Sequence, residues 1–245
     1  MKSTESIQKK IFFLTIFSVA MGFLEAAVVV YLRQIYYPEG FGFPLKEAIW
    51  GNLCLEYLRE ILTIVMLLTV SVLAGRMTYE RFSYFLYCFG VWDIFYYVGL
   101  KVLLNWPPSL FTWDVLFLIP VVWIAPILAP IVCATTIIIF AGFILYYQNK
   151  GYPVRINLFE WSLLSLGALV ILITFIWDYS KIIIQGGFLK RFFSLATDIN
   201  FQSIVTSYIP STYHWSLFIL GEFLIFSCIV IFVRRMKSIQ CLNQK

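Results

Sequence analysis

Residues 115–147 read VLFLIPVVWIAPILAPIVCATTIIIFAGFILYY. These 33 residues carry no charge, yet Pro120, Pro126 and Pro130 interrupt their first half. At a rise of about 1.5 Å per residue the run is too long for one upright helix across a bilayer and too short for two spans joined by a turn. Proline removes a backbone donor and clashes with the preceding turn. One full span is therefore predicted from about Ile127 to Tyr147, preceded by a bent or re-entrant piece over 112–126. Irregular backbone survives at membrane depth only where protein buries it or a wet cavity bathes it, which makes this segment a site candidate. The competing reading is one long kinked helix that tolerates its prolines.

The flanks repeat the apolar theme at spanning length. Upstream runs cover 11–32, 55–75 and 82–104, and downstream runs cover 159–179 and 213–233. The first follows Lys2, Lys9 and Lys10 and is broken only by Glu25. It exceeds the roughly 7–15 apolar residues of a signal peptide, so it reads as a spanning helix. The whole chain of 245 residues is 61% apolar, 19% aromatic and only 13% charged, far from the roughly 25% charge of soluble domains. The expected fold is all-α. It is a polytopic integral membrane protein with six transmembrane helices in a single domain over 1–245 and a proline-broken or re-entrant segment before the fourth helix. Between the fifth and sixth, Phe188–Leu195 sets aromatics and leucines apart from Lys190 and Arg191, the pattern of an interfacial helix. No internal repeat, inverted or tandem, is evident.

Charge placement sets the orientation. With both termini cytoplasmic, eleven of the 18 Lys and Arg fall on the inner side, from Lys2 through Arg76, Lys150 and Arg235 to Lys245. Five fall outside: Arg33, Lys46, Lys181, Lys190 and Arg191. This asymmetry predicts a plasma (inner) membrane protein with both termini cytoplasmic.

Ionisable residues inside apolar spans are expensive, about 2.5–3.5 kcal/mol each on insertion scales, and each asks for a partner or a function. Glu25 lies in the first span, Asp93 and Lys101 in the third, and Glu222 in the sixth. Glu56, Arg59, Glu60 and Thr63 follow i, i+3, i+4, i+7 spacing and share one helix face. Asp93, Tyr96, Tyr97 and Lys101 fall within an arc of roughly 140°, with Tyr97 between acid and amine. Asp114 precedes the proline-broken segment and is placed to cap it or face a cavity. The candidates for ligand or proton binding are thus Glu25, Glu56, Arg59, Glu60, Asp93, Tyr97, Lys101, Asp114 and Glu222. His214 sits two turns from Glu222.

The single histidine and five dispersed cysteines argue against haem, zinc and HExxH chemistry, so no metal and no cofactor is expected, and the cysteines read as small buried hydrophobes. Nucleotide-binding loops and nucleophile elbows are missing as well. The basic residues flank spans, where topology accounts for them, and point to no nucleic acid. Three function classes remain. The first is transport or binding of a small solute or proton through an acid-rich site opening to the extracytoplasmic side. The second is a non-catalytic subunit or assembly factor, paired with a membrane-protein partner or a second copy. The third is an intramembrane enzyme acting on a lipid or lipid-linked substrate, with Asp93 or Glu60 as base and Lys101 or Arg59 holding a headgroup. It has the least support, because a histidine pair, nucleophile motif and metal set are all lacking.

Overall fold

The computed structural model describes residues 2–46 and 53–242. Among them, six helices are long and apolar enough to cross a membrane, the architecture of an α-helical integral membrane protein. They are α1 (Lys2–Tyr36), α2 (Leu53–Ala74), α3 (Thr78–Leu104), α4 (Leu128–Asn149), α5 (Leu158–Gln185) and α7 (Trp215–Leu242). A short α6 (Ile199–Val205) follows a 3₁₀ helix over Phe188–Thr197. Lys245, counted above with the inner set, lies outside the described residues.

From Thr112 to Pro126 the proline-rich segment is not helical, so it is not part of a kinked helix. It forms a hairpin of β1 (Trp113–Phe117) and β2 (Trp123–Pro126), antiparallel, pairing Asp114 with Ala125 and Val115 with Ile124. Val115, Val121, Val122, Trp123 and Ile124 supply the β-branched and aromatic content that suits a pleated, half-buried surface. Each proline falls where its missing donor costs little: Pro120 between the strands, Pro126 at a strand end and Pro130 in the first turn of α4. Ile127 and Leu128 donate backbone N–H groups to the Thr112 and Leu110 carbonyls at 3.0 and 2.8 Å, tying the base of the hairpin to the start of α4.

Helices in lipid gain little from hydrophobicity and associate through close packing at small residues. The long contacts here follow that rule. Along α1 and α3, a Cβ on Gly22 would lie 2.9 Å from the Trp92 carbonyl, and one on Gly99 would lie 2.7 Å from Ala26. Gly90 of α3 meets the Ala134 carbonyl of α4 in the same way, at 2.7 Å. Along α5 and α7, Gly167 and Gly221 face each other's carbonyls at 2.8 and 2.9 Å. By contrast, α2 leans only lightly on α3, and much of its apolar surface is exposed.

One end of the bundle carries both the start of α1 and the end of α7. Lys10 donates to the Ala74 carbonyl (2.7 Å) and Glu80 (3.4 Å). Arg235 grips buried Glu160 through two bonds of 2.8 Å, and Glu160 forms a reciprocal capping box with Asn157. The opposite end, called the hairpin end below, is closed by a separate core of Leu45, Leu118, Val122, Ile124, Tyr179, Ile183, Phe188, Leu195 and Phe201. Phe188 and Leu195 are therefore buried in this core, with the 3₁₀ segment packed on α5 and α6, while Arg191 is exposed and pairs with Asp198 at 2.8 Å.

Candidate functional site

Beneath the hairpin lies a cavity of about 150 Å³, room for several water molecules. Three helices and the hairpin each contribute one face. On α1, Glu25, Val29 and Arg33 recur at intervals of four and stack on one side. On α2 the face is Glu56, Arg59, Glu60 and Thr63, and on α3 it is Trp92, Asp93, Tyr96 and Tyr97. The hairpin lowers Asp114 and Leu118 into the same space.

Arg59 organises the α1–α2 side. Its Nε and Nη2 donate to Glu56 Oε2 at 3.0 and 2.8 Å, and its Nη1 meets Glu25. Glu60 is committed to the fold, because both its oxygens accept from the Leu118 N–H, at 2.9 and 3.1 Å, which fixes the hairpin to α2.

Arg33 holds the hairpin from α1. Its Nη2 donates to Asp114 Oδ1 at 3.1 Å, and its guanidinium lies 3.7 Å from the Trp106 ring centroid and 4.2 Å from that of Phe41. Burial, only partly offset by Arg33, pushes the Asp114 carboxyl up from its ordinary 3.8 to about 6. Tyr97 lies buried next to Asp114, its ring 4.9 Å from that of Tyr96.

This cavity leaves hydrogen-bonding capacity open. Arg33 (7% exposed), Trp92 (7%) and Asp114 (1%) are almost fully buried, yet Arg33 Nε and Nη1, Trp92 Nε1 and Asp114 Oδ2 have no protein partner. Native interiors satisfy nearly all such groups, so four around one cavity mark a place for polar atoms from outside the chain. The walls hold five carboxylates, Glu25, Glu56, Glu60, Asp93 and Asp114, against two guanidiniums, Arg33 and Arg59. Among the described residues, Asp93 has no ion-pair partner, and it lines the cavity with Asp114.

Seven of the nine sequence candidates line this cavity: Glu25, Glu56, Arg59, Glu60, Asp93, Tyr97 and Asp114. Two do not. Lys101 turns its Nζ to the carbonyls of Asn105 and Pro107 (3.3 and 3.1 Å), beyond the last turn of α3, where the helix dipole favours a cation. Glu222 lies between α7 and α4, accepting from Thr136 at 2.9 Å. Asp114 caps no helix but sits in β1, and His214 packs its ring 4.6 Å from that of Trp177. Cys54 and Cys241 are exposed, which corrects the view of all five cysteines as buried. Arg33, Trp92 and Tyr37 were absent from the sequence candidates. The apolar run stops at Leu32, which sets Arg33 outside the first span on sequence alone, but α1 continues to Tyr36, and a spacing of eight puts Arg33 on the same helix face as Glu25.

No protein-family model, curated protein or solved structure matches the chain.

Proposed function

We propose that the protein binds a small polar solute or a proton in the cavity beneath the hairpin and serves its passage across the plasma (inner) membrane. The observation that carries this reading is the set of partnerless buried groups on Arg33, Trp92 and Asp114 around Asp93. A purely structural ion-pair cluster would satisfy its own donors and acceptors, since each unmet one costs about 1–3 kcal/mol. The excess of carboxylates favours a ligand that brings N–H or O–H donors, or protons. The internal pairing of Arg59 with both Glu25 and Glu56 weakens the case for a missing cationic partner subunit. The excess of Lys and Arg at the end that carries both termini supports a cavity opening to the extracytoplasmic side, with both termini cytoplasmic.

Proteoliposomes that enclose a pH-sensitive dye test the reading. With the wild-type chain, an imposed gradient of protons or of a small amine such as ethanolamine should change the internal pH, and Asp93→Asn should slow that change at least tenfold. The reading fails if Asp93→Asn and Glu25→Gln both transport as the wild type does, or if the wild type neither transports nor binds any small proton donor.

A further inference from the structure

The cavity continues sideways. Glu25, Arg59 and Thr63 line both it and a crevice of about 310 Å³ between α1 and α2. Beyond those three the crevice is apolar, walled by Leu24, Val28, Leu55, Leu58, Leu62 and Met66. Leu24, Leu55, Leu58 and Leu62 are half or more exposed on the outside of the bundle, the surface that hydrocarbon covers in a membrane. The two helices both pack on α3 and scarcely on each other, so the crevice is a slot from the lipid phase to the charged chamber.

We infer that the ligand is a membrane-dissolved amphiphile, an aminophospholipid, whose zwitterionic headgroup enters the cavity while one hydrocarbon chain occupies the α1–α2 crevice. This inference rests on the cavity being a binding site and names its substrate class. The partnerless groups divide into two chemical sets. Arg33 Nε and Nη1 and Trp92 Nε1 are donors, and phosphate oxygens satisfy donors, best where a guanidinium is among them. Asp114 Oδ2 is a partnerless acceptor, the Asp93 carboxylate lines the same cavity, and a primary ammonium offers three N–H groups to them. A simple cation would leave the Arg33 and Trp92 donors unmet. A simple anion would face the carboxylate excess. A headgroup with both charges meets both sets, and its tail explains why the polar chamber opens into an apolar slot.

The test uses the full chain in nanodiscs of phosphatidylethanolamine, phosphatidylcholine and phosphatidylglycerol, transferred to mild detergent and weighed by native mass spectrometry. One phosphatidylethanolamine per chain should remain, at least tenfold over phosphatidylcholine, which lacks N–H donors, and over phosphatidylglycerol, which lacks the amine. Asp93→Asn should cut that retention at least tenfold, and so should Leu62→Trp, which fills the crevice from a site exposed to lipid. Leu73→Trp, on the outer face of α2 away from the crevice, should not.

Equal retention of the three lipids overturns the inference, as does normal retention by Leu62→Trp. A lipid-free mass of two chains overturns it too, because a second copy would then fill the slot. Calorimetry with water-soluble phosphoethanolamine separates the two readings. If it binds the wild type and not Asp93→Asn while no lipid is retained, the cavity reading stands and the lipid reading falls. If neither it nor lipid binds, and transport is absent, both fall.

Discussion

At the scale of single residues, Asp114 shows how burial and pairing compete. Desolvation outweighs the attraction of Arg33, so the folded-state pKa of about 6 stands above the ordinary 3.8. A carboxyl raised in this way stabilises the fold fully below about pH 4, and that contribution is lost as the pH rises through 6. The chain should therefore melt higher at pH 5 than at pH 7, this group supplying about 1 kcal/mol of the difference. Asp114→Asn should flatten that slope while lowering the melting temperature at pH 7, because Arg33 is left without a counter-charge; an unchanged slope would refute the assignment. The sequence could reach Glu56, Arg59 and Glu60, because i, i+3, i+4 spacing fixes a shared helix face whatever the tertiary fold. It could not reach the fate of Lys101. Helical phase says which face a residue leaves from, but a four-carbon stem then chooses its own acceptors, here the carbonyls past the end of α3.

Among the elements, the hairpin was the least legible and matters most to the site. A short apolar run without alternation suits a buried strand and a buried helix alike, and prolines exclude a regular helix without naming a replacement. What decides the outcome is long-range: Glu60 supplies the acceptor that the Leu118 amide requires, 58 residues away in sequence. Glu60→Leu leaves that buried N–H unmet, at a cost of about 1–3 kcal/mol. Amide exchange should then rise over 113–126 and little elsewhere, whereas Glu60→Gln keeps an acceptor and most of the protection. The α5–α7 seam offers a second test. A methyl on Gly221 would meet Ile171 Cγ1 at 2.6 Å and the Gly167 carbonyl at 2.9 Å, so Gly221→Ala should force the helices apart and cost about 1–3 kcal/mol. Gly142, on α4, has nothing within 4 Å of its would-be Cβ. Gly142→Ala should stabilise by about 0.5–1 kcal/mol through backbone entropy alone, and thermal melting of the two variants should move in opposite directions.

For the whole molecule, the number of spans was legible because hydropathy over about 20 residues is a bulk property that local packing cannot disguise. Sidedness depends on a few charges, and the structure refines how they are counted. Arg33 lies within α1 and Lys181 within α5 at the hairpin end, just as Lys2, Lys9, Lys10, Arg81, Arg234, Arg235 and Lys237 lie within spanning helices at the other. Outside the spanning helices, Lys46, Lys190 and Arg191 at the hairpin end therefore face Arg76, Lys150 and Arg155 at the other among the described residues, and the expectation of cytoplasmic termini rests on the charges carried by the helix ends. Two native thiols can test it. Cys54 is exposed at the hairpin end of α2, and Cys241 is exposed at the far end of α7. Five spanning helices separate them, α2, α3, α4, α5 and α7, so they must emerge on opposite faces of the membrane. A membrane-impermeant maleimide added to intact cells should label Cys54 and spare Cys241, with Cys54→Ser abolishing the signal; after permeabilisation both should react. Labelling of both from outside would require an even number of crossings between them and break the six-span topology. Labelling of Cys241 alone would keep the topology but invert it, and the cavity beneath the hairpin would then draw its ligand from the cytoplasmic leaflet.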